Sequence, residues 1–305
     1  MTALWNDLLF FLTWPGTQRA LIAAVLVGAC APVVGTYLVQ RRLSLLGDGI
    51  GHVALTGVAV GWLAGSWMGL RPVDALTVPG AALVAVIGSV LIEVVRRRGK
   101  TSGDLALALM FYGGIATGVL VISLAGGNSV NLMAYLFGSL ASVTPTDIWT
   151  MAALCAVILA VGLGLRSALY AVSQDEEFAT ASGIPVWLLN MCVAVVAALT
   201  VTVAMRVVGL LLISALMIVP VAIAQQFTHS FRRTMGLAAI TGVVVCVAGV
   251  SITFWHNVSP GATIVVVAIG LYMIASIIRP LINRRTAAHQ HDPHPDIPDD
   301  VLVEG

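Results

Sequence analysis

Stretches of about twenty residues without Asp, Glu, Lys or Arg recur along most of this chain, separated by short polar interruptions. A helix needs about 20 apolar residues to cross roughly 30 Å of hydrocarbon, and a helix satisfies its own backbone in lipid. The pattern predicts spans at approximately residues 18–40, 47–69, 75–95, 104–125, 148–166, 186–205, 208–228, 235–256 and 261–279. The expected fold class is all-α: a polytopic membrane helical bundle of about nine transmembrane helices, within a range of roughly eight to ten.

Two further apolar stretches do not fit a simple span. Residues 3–12 are short and edged by Trp5 and Trp14, which predicts an interfacial helix. Residues 126–147, GGNSVNLMAYLFGSLASVTPTD, are apolar in the middle but interrupted by Gly, Asn and Pro, and predict a partial or re-entrant helix on the outer face. The expected layout is an interfacial segment over 1–16, a transmembrane domain over 17–283 and a tail over 284–305. The tail is polar, proline-rich and acidic, and is expected to be disordered in the cytoplasm.

Composition agrees with this pattern. Of 305 residues, 59% are hydrophobic and only 10% charged, with a mean hydropathy of +1.00, beyond the usual range of soluble domains. A net charge of +1 leaves no footprint for nucleic acid. The basic residues mark topology instead, because cytoplasmic loops are enriched in Lys and Arg. With the N-terminus outside, all fall on the cytoplasmic side except Arg19, Arg71 and Arg206, so the expectation is N-out, C-in. The N-terminus lacks the basic region and cleavage site of a secretory signal. Cys30, Cys155, Cys192 and Cys246 lie inside apolar runs without metal-ligand spacing, and read as small buried apolar residues.

Ionisable side chains within spans are costly and usually functional. Asp48 and His52, in RRLSLLGDGIGHVALTGVAVG, stand out at the cytoplasmic end of the second span. Four residues apart, they share one helix face, so a carboxylate oxygen and an imidazole nitrogen can converge on a divalent cation. The alternative is a helix-starting Asp48 and a His52 bonded to a neighbouring span. Gly47, Gly49, Gly51, Ala54 and Gly57 let another backbone approach this helix closely.

Weaker metal candidates are His256, at the outer end of the eighth span, and the tail histidines His289, His291 and His294 in HQHDPHPD. His229 beside Arg232 and Arg233 reads as solvated, Glu93 as a paired interface residue, and Asp104 as a helix cap. Between the fifth and sixth spans, SQDEEFATASGIPVW predicts a short helix opened by Asp175, Glu176 and Glu177 and stopped by Gly183 and Pro185. It serves either as a connector or as a docking element for another subunit.

Five stretches, in order, resemble the permease subunits of binding-protein-dependent ABC importers for zinc and manganese: RRLSLLGDGIGHVALTGVAVG, NLMAYLFGSLASVTPTD, DEEFATASGI, AMRVVGLLLISALMIVPVAIAQQF and SPGATIVVV. The resemblance implies a multi-pass permease of the bacterial plasma membrane, paired with a second copy of itself. It also implies a cytoplasmic ABC ATPase dimer, an extracytoplasmic metal-binding protein, and no permanently bound cofactor. Asp48 and His52 match the family's metal-pathway positions, and Glu177, Ala179 and Gly183 its ATPase-coupling segment. Some zinc members carry a histidine where this chain has Tyr112, while the tail histidines lean toward zinc, so zinc is expected first and manganese next. The chain lacks the GxxxxGK[ST] phosphate loop, so ATP hydrolysis belongs to a partner. Rival readings are a permease for iron chelates or cobalamin, and a gradient-driven secondary transporter with several intramembrane acids.

Overall fold

The structure, a computed structural model, describes residues 13–97, 103–125, 129–139, 143–228, 230–256 and 258–287. These residues are almost entirely helical. In chain order the helices are α1 (Pro15–Gln40), α2 (Ser44–Trp67), α3 (Thr77–Arg97, after a 3-10 turn at Val73–Leu76), α4 (Gly103–Leu124) and α5 (Ser129–Phe137). They continue as α6 (Pro145–Gly164), α7 (Arg166–Gln174), α8 (Glu176–Ala181), α9 (Val186–Ala204), α10 (Ile213–Phe227), α11 (Phe231–His256) and α12 (Pro260–Ala287).

Eight helices among the described residues are long and apolar enough to cross a membrane, and α10 is a shorter apolar helix of 15 residues. All nine predicted spans are therefore helices, but the seventh begins late. Residues 205–212 are irregular, and α10 forms only from Ile213. The partial helix expected within 126–147 is α5. Helix α12 continues to Ala287, while the predicted segment 3–12 and the histidines of the tail lie outside the described residues.

Helices α1, α2 and α9 form the inside of the bundle and α4, α6 and α12 its flanks, where leucine, isoleucine and valine side chains stay exposed. An apolar exterior is what a lipid-facing helix requires. Cys30, Cys155 and Cys246 are buried and all four cysteines are free, in keeping with their reading as small apolar residues. Arg41, Arg96 and α8 gather at one end of the bundle, here termed the basic end.

Helix α2 is held by close backbone contact. Gly57, Gly61 and Gly65 recur every four residues, so they face one neighbour. A Cβ on Gly57 would lie 2.4 Å from the carbonyl oxygen of Gly80, and one on Gly61 2.2 Å from that of Leu76. Without a hydrophobic driving force between helices in lipid, such small-residue contacts supply the packing. Gly57→Ala is therefore expected to lower the melting temperature in detergent, since overpacking costs about 1–3 kcal/mol. Gly236→Ala, where nothing lies within 4 Å, is expected to leave the melting temperature unchanged or raise it, because alanine favours helix by ~1 kcal/mol. Equal shifts in the two variants would contradict this packing.

Candidate functional site

Asp48 and His52 lie on the first turns of α2, with roughly 1.5 Å of rise per residue placing them about 6 and 12 Å from its start. Their shared face is set by the four-residue spacing: His52 Nε2 lies 3.8 Å from Asp48 Oδ1. That is too long for a hydrogen bond. It is compatible with both atoms binding one ion, since carboxylate and imidazole ligands sit about 2.0–2.2 Å from a divalent metal. The His52 side chain is 8% exposed and that of Asp48 30%.

Helix α4 fixes the imidazole. The His52 and Phe111 rings meet edge to face with centroids 4.1 Å apart, and Thr56 Oγ1 donates to the Gly114 carbonyl at 2.9 Å. Gly114 permits this approach, because a Cβ there would lie 2.7 Å from the His52 backbone. From the other side, Ser214 Oγ donates to Asp48 Oδ1 at 3.2 Å. The Asp48 carboxylate opens into a cavity of about 330 Å³ between α2 and α4, lined also by Leu45, Leu107, Phe111 and Tyr112. Tyr112 is 70% exposed, so this cavity faces the flank of the bundle.

The break before α10 puts Ser214 in place. Residues 205–212 pass against α2, where a Cβ on Gly51 would lie 3.0 Å from the Leu210 carbonyl oxygen. Their polar backbone is satisfied by α5 and the residues after it. Leu210 N–H donates to the Tyr135 carbonyl at 3.0 Å, Leu211 N–H to that of Leu136 at 3.2 Å, and Ser139 N–H to that of Arg206 at 3.1 Å. Gly209, at φ +87, makes the reversal possible. Arg206, which its charge alone had placed in an outer loop, belongs to this buried stretch: it pairs with Asp147 at 3.7 Å and lies over the Tyr135 ring.

At the basic end, α8 has the predicted form. Asp175 caps it by accepting from Phe178 N–H at 2.9 Å, and Gly183 stops it at φ +77. Glu177 and Phe178 are exposed, the latter by 69%, whereas Ala179 is fully buried and seats the helix on the bundle. Gly183 is exposed at its end.

The structure brings Asp48 and His52 together and leaves His256 exposed at the far end of α11. Among the described residues no group of three or more His, Cys, Asp or Glu side chains is arranged to hold a metal. The sequence reading missed Ser214 and Phe178. Ser214 could have been noticed as the sole hydroxyl in LLLISALMIVPVAIA, and Phe178 as the one aromatic residue in an otherwise small and acidic helix.

The family model described as the ABC 3 transport family matches residues 14–279. The manganese transport system membrane protein MntC of Halalkalibacterium halodurans is 30% identical over 279 residues, covering 90% of this chain and 92% of its own. The manganese import system permease protein ScaB of Streptococcus parasanguinis is 29% identical over 263 residues, covering 86% and 90%. Among solved structures, PsaBC from Streptococcus pneumoniae in complex with Fab aligns with a TM-score of 0.78 at 29% identity, covering 90% of this chain and 95% of that one. An inward-facing metal-chelate type ABC transporter aligns with a TM-score of 0.60 at 15% identity, covering 86% and 85%, a likeness of fold alone.

The break gives a direct test of local structure. In Gly209→Ala the new Cβ would lie 2.3 Å from the Leu136 carbonyl oxygen, on top of ~1–3 kcal/mol of left-handed backbone strain. In Gly183→Ala the same kind of strain arises with nothing within 4 Å. Membrane abundance and thermal stability are expected to fall much further in the first variant. Equal losses would contradict the packing of the break against α5.

Proposed function

We infer the function from one premise: the chain belongs to the ABC 3 transport family. It is a multi-pass plasma-membrane protein and the permease of an ABC importer, with ATP hydrolysis in a separate subunit. We propose that its cargo is a divalent metal ion, manganese first and zinc second. Both relatives described above are named as manganese proteins, and they lend no support to the zinc-first order expected from the tail histidines.

The observation that carries this reading is the pairing of Asp48 and His52 beside Ser214 on a cavity at the bundle's flank. Oxygen donors suit a hard cation such as manganese, and the imidazole is acceptable to manganese and zinc alike. A fixed carboxylate compensates the hydration an ion loses on leaving water, which would otherwise be prohibitive in hydrocarbon.

The same geometry supports a homodimer. A carboxylate facing lipid through an open cavity is costly, and among the described residues no third His, Cys, Asp or Glu joins Asp48 and His52. A second copy laid against α2 and α4 covers the carboxylate and supplies a second Asp48, His52 and Ser214. The pathway then runs between the copies. The charge bias places the basic end in the cytoplasm, where exposed Glu177 and Phe178 present α8 to the ATPase and buried Ala179 anchors it. Gly183 ends that docking segment, so ATP-driven movement reaches the pathway through α8.

Two experiments test these points. In proteoliposomes containing permease, ATPase and metal-binding protein, Asp48→Asn and His52→Ala are each expected to lower ATP-dependent manganese uptake by about tenfold or more, equivalent to ~1.4 kcal/mol. Unchanged uptake in both would remove the ligand assignment. For the dimer face, Tyr112→Cys is expected to crosslink between copies with a short bifunctional maleimide, whereas Trp149→Cys, on the exposed side of α6, is not. Crosslinking through Trp149→Cys alone would place the interface elsewhere.

A further inference from the structure

Helix α2 and helix α8 are joined by a charged cluster at the cytoplasmic end. Arg41, in the tight turn between α1 and α2, has a side chain only 5% exposed. It forms an ion pair with Glu176, the first residue of α8, and donates to Asn190 Oδ1 of α9 at 2.7 Å. Asn190 Nδ2 donates to the same Glu176 oxygen at 3.2 Å. Arg96 of α3 approaches that oxygen at 3.8 Å while bonding Glu93 at 3.0 Å. The Glu176 carboxylate thus meets groups from the α1–α2 turn, α3 and α9.

Apolar packing does not explain this join. Helix α8 packs chiefly on α7 and α9. A cavity of about 690 Å³, lined by Glu93, Arg96, Glu176, Trp187 and Asn190 among others, separates it from the end of α3. Polar side chains reach across that space. On the α2 side the connection is short and stiff. The turn is closed by Arg41 N–H donating to the Tyr37 carbonyl at 3.1 Å and Leu43 N–H to that of Leu38 at 2.8 Å, and α2 starts at Ser44, about one helical turn before Asp48. Burial pulls the Arg41 guanidinium below its ordinary value and the Glu176 carboxylate pushes it back; it stays charged at neutral pH.

We propose that Arg41 is a positioning residue that transmits displacement of α8 to α2 through Glu176, so that movement at the ATPase face is delivered to Asp48 and His52. This rests on the permease reading above. An exposed ion pair is worth little to stability. A pair with one buried partner, joining two elements that otherwise barely touch, is suited to carrying motion between them.

The test is the ratio of manganese transported to ATP hydrolysed, measured in proteoliposomes at equal amounts of assembled complex. Arg41→Gln is expected to keep ATP hydrolysis within about twofold and to lower the ratio about fivefold, within the range seen for residues along coupling networks. Arg41→Lys, which keeps the charge, is expected to recover most of the ratio. Glu176→Gln should lower the ratio as well, and the double variant should be no worse than the poorer single one, because the two act through each other. An unchanged ratio in Arg41→Gln, or losses that multiply in the double variant, would overturn the proposal while leaving the function intact. Wild-type complex that hydrolyses ATP without moving manganese would overturn both.

Discussion

A backbone N–H or C=O inside a membrane bundle must find a partner, because no water is at hand and each orphan costs several kcal/mol. Residues 205–212 leave the helical pattern between α9 and α10, yet the bundle buries them. Helix α5 and the residues after it answer that demand: Leu210 and Leu211 N–H groups donate to α5 carbonyls, and Ser139 N–H donates to the Arg206 carbonyl. Ser259 Oγ adds a bond to the Phe137 carbonyl at 3.1 Å from the start of α12. The break brings the first turn of α10 alongside α2, where Ser214 reaches Asp48. The candidate site therefore depends on a short helix that crosses nothing by itself.

Helix α2 connects packing to chemistry. Its outer half is stripped of side chains at Gly57, Gly61 and Gly65 to seat α3 and the turn before it, while its inner turns carry Asp48 and His52. Rigid seating on one part of the helix lets the other part hold its side chains in fixed geometry. At its basic end, Arg41 joins the helix to α8, so the same element meets the cavity and the segment we propose faces the ATPase.

Spans were legible because lipid imposes a simple rule on composition, and each of the nine predicted spans holds a helix. The late start of α10 was not legible: ISALMIVPVAIA from Ile213 continues the hydrophobicity of 207–212, and only Gly209 at φ +87 signals the reversal. Asp48 and His52 were visible because their relation is local, one helical turn. Ser214 lies 166 residues from Asp48 and Glu176 lies 135 from Arg41, so neither partnership leaves a spacing to read. Arg41 and Arg206 were read as charges that set topology, whereas folding gave each a specific partner. Helix α8 was readable in its acidic start and glycine stop, but not in the outward turn of Phe178, which depends on where the bundle lies.

We propose that an ion passes between two copies of this chain at Asp48 and His52. The most direct measurement is anomalous scattering at the manganese edge from crystals of the assembled permease and ATPase grown with manganese. An ion held there gives a peak within bonding distance of Asp48 and His52 where α2 and α4 of two copies meet. Manganese bound elsewhere along the transmembrane interface, with Asp48 and His52 bare, would contradict it.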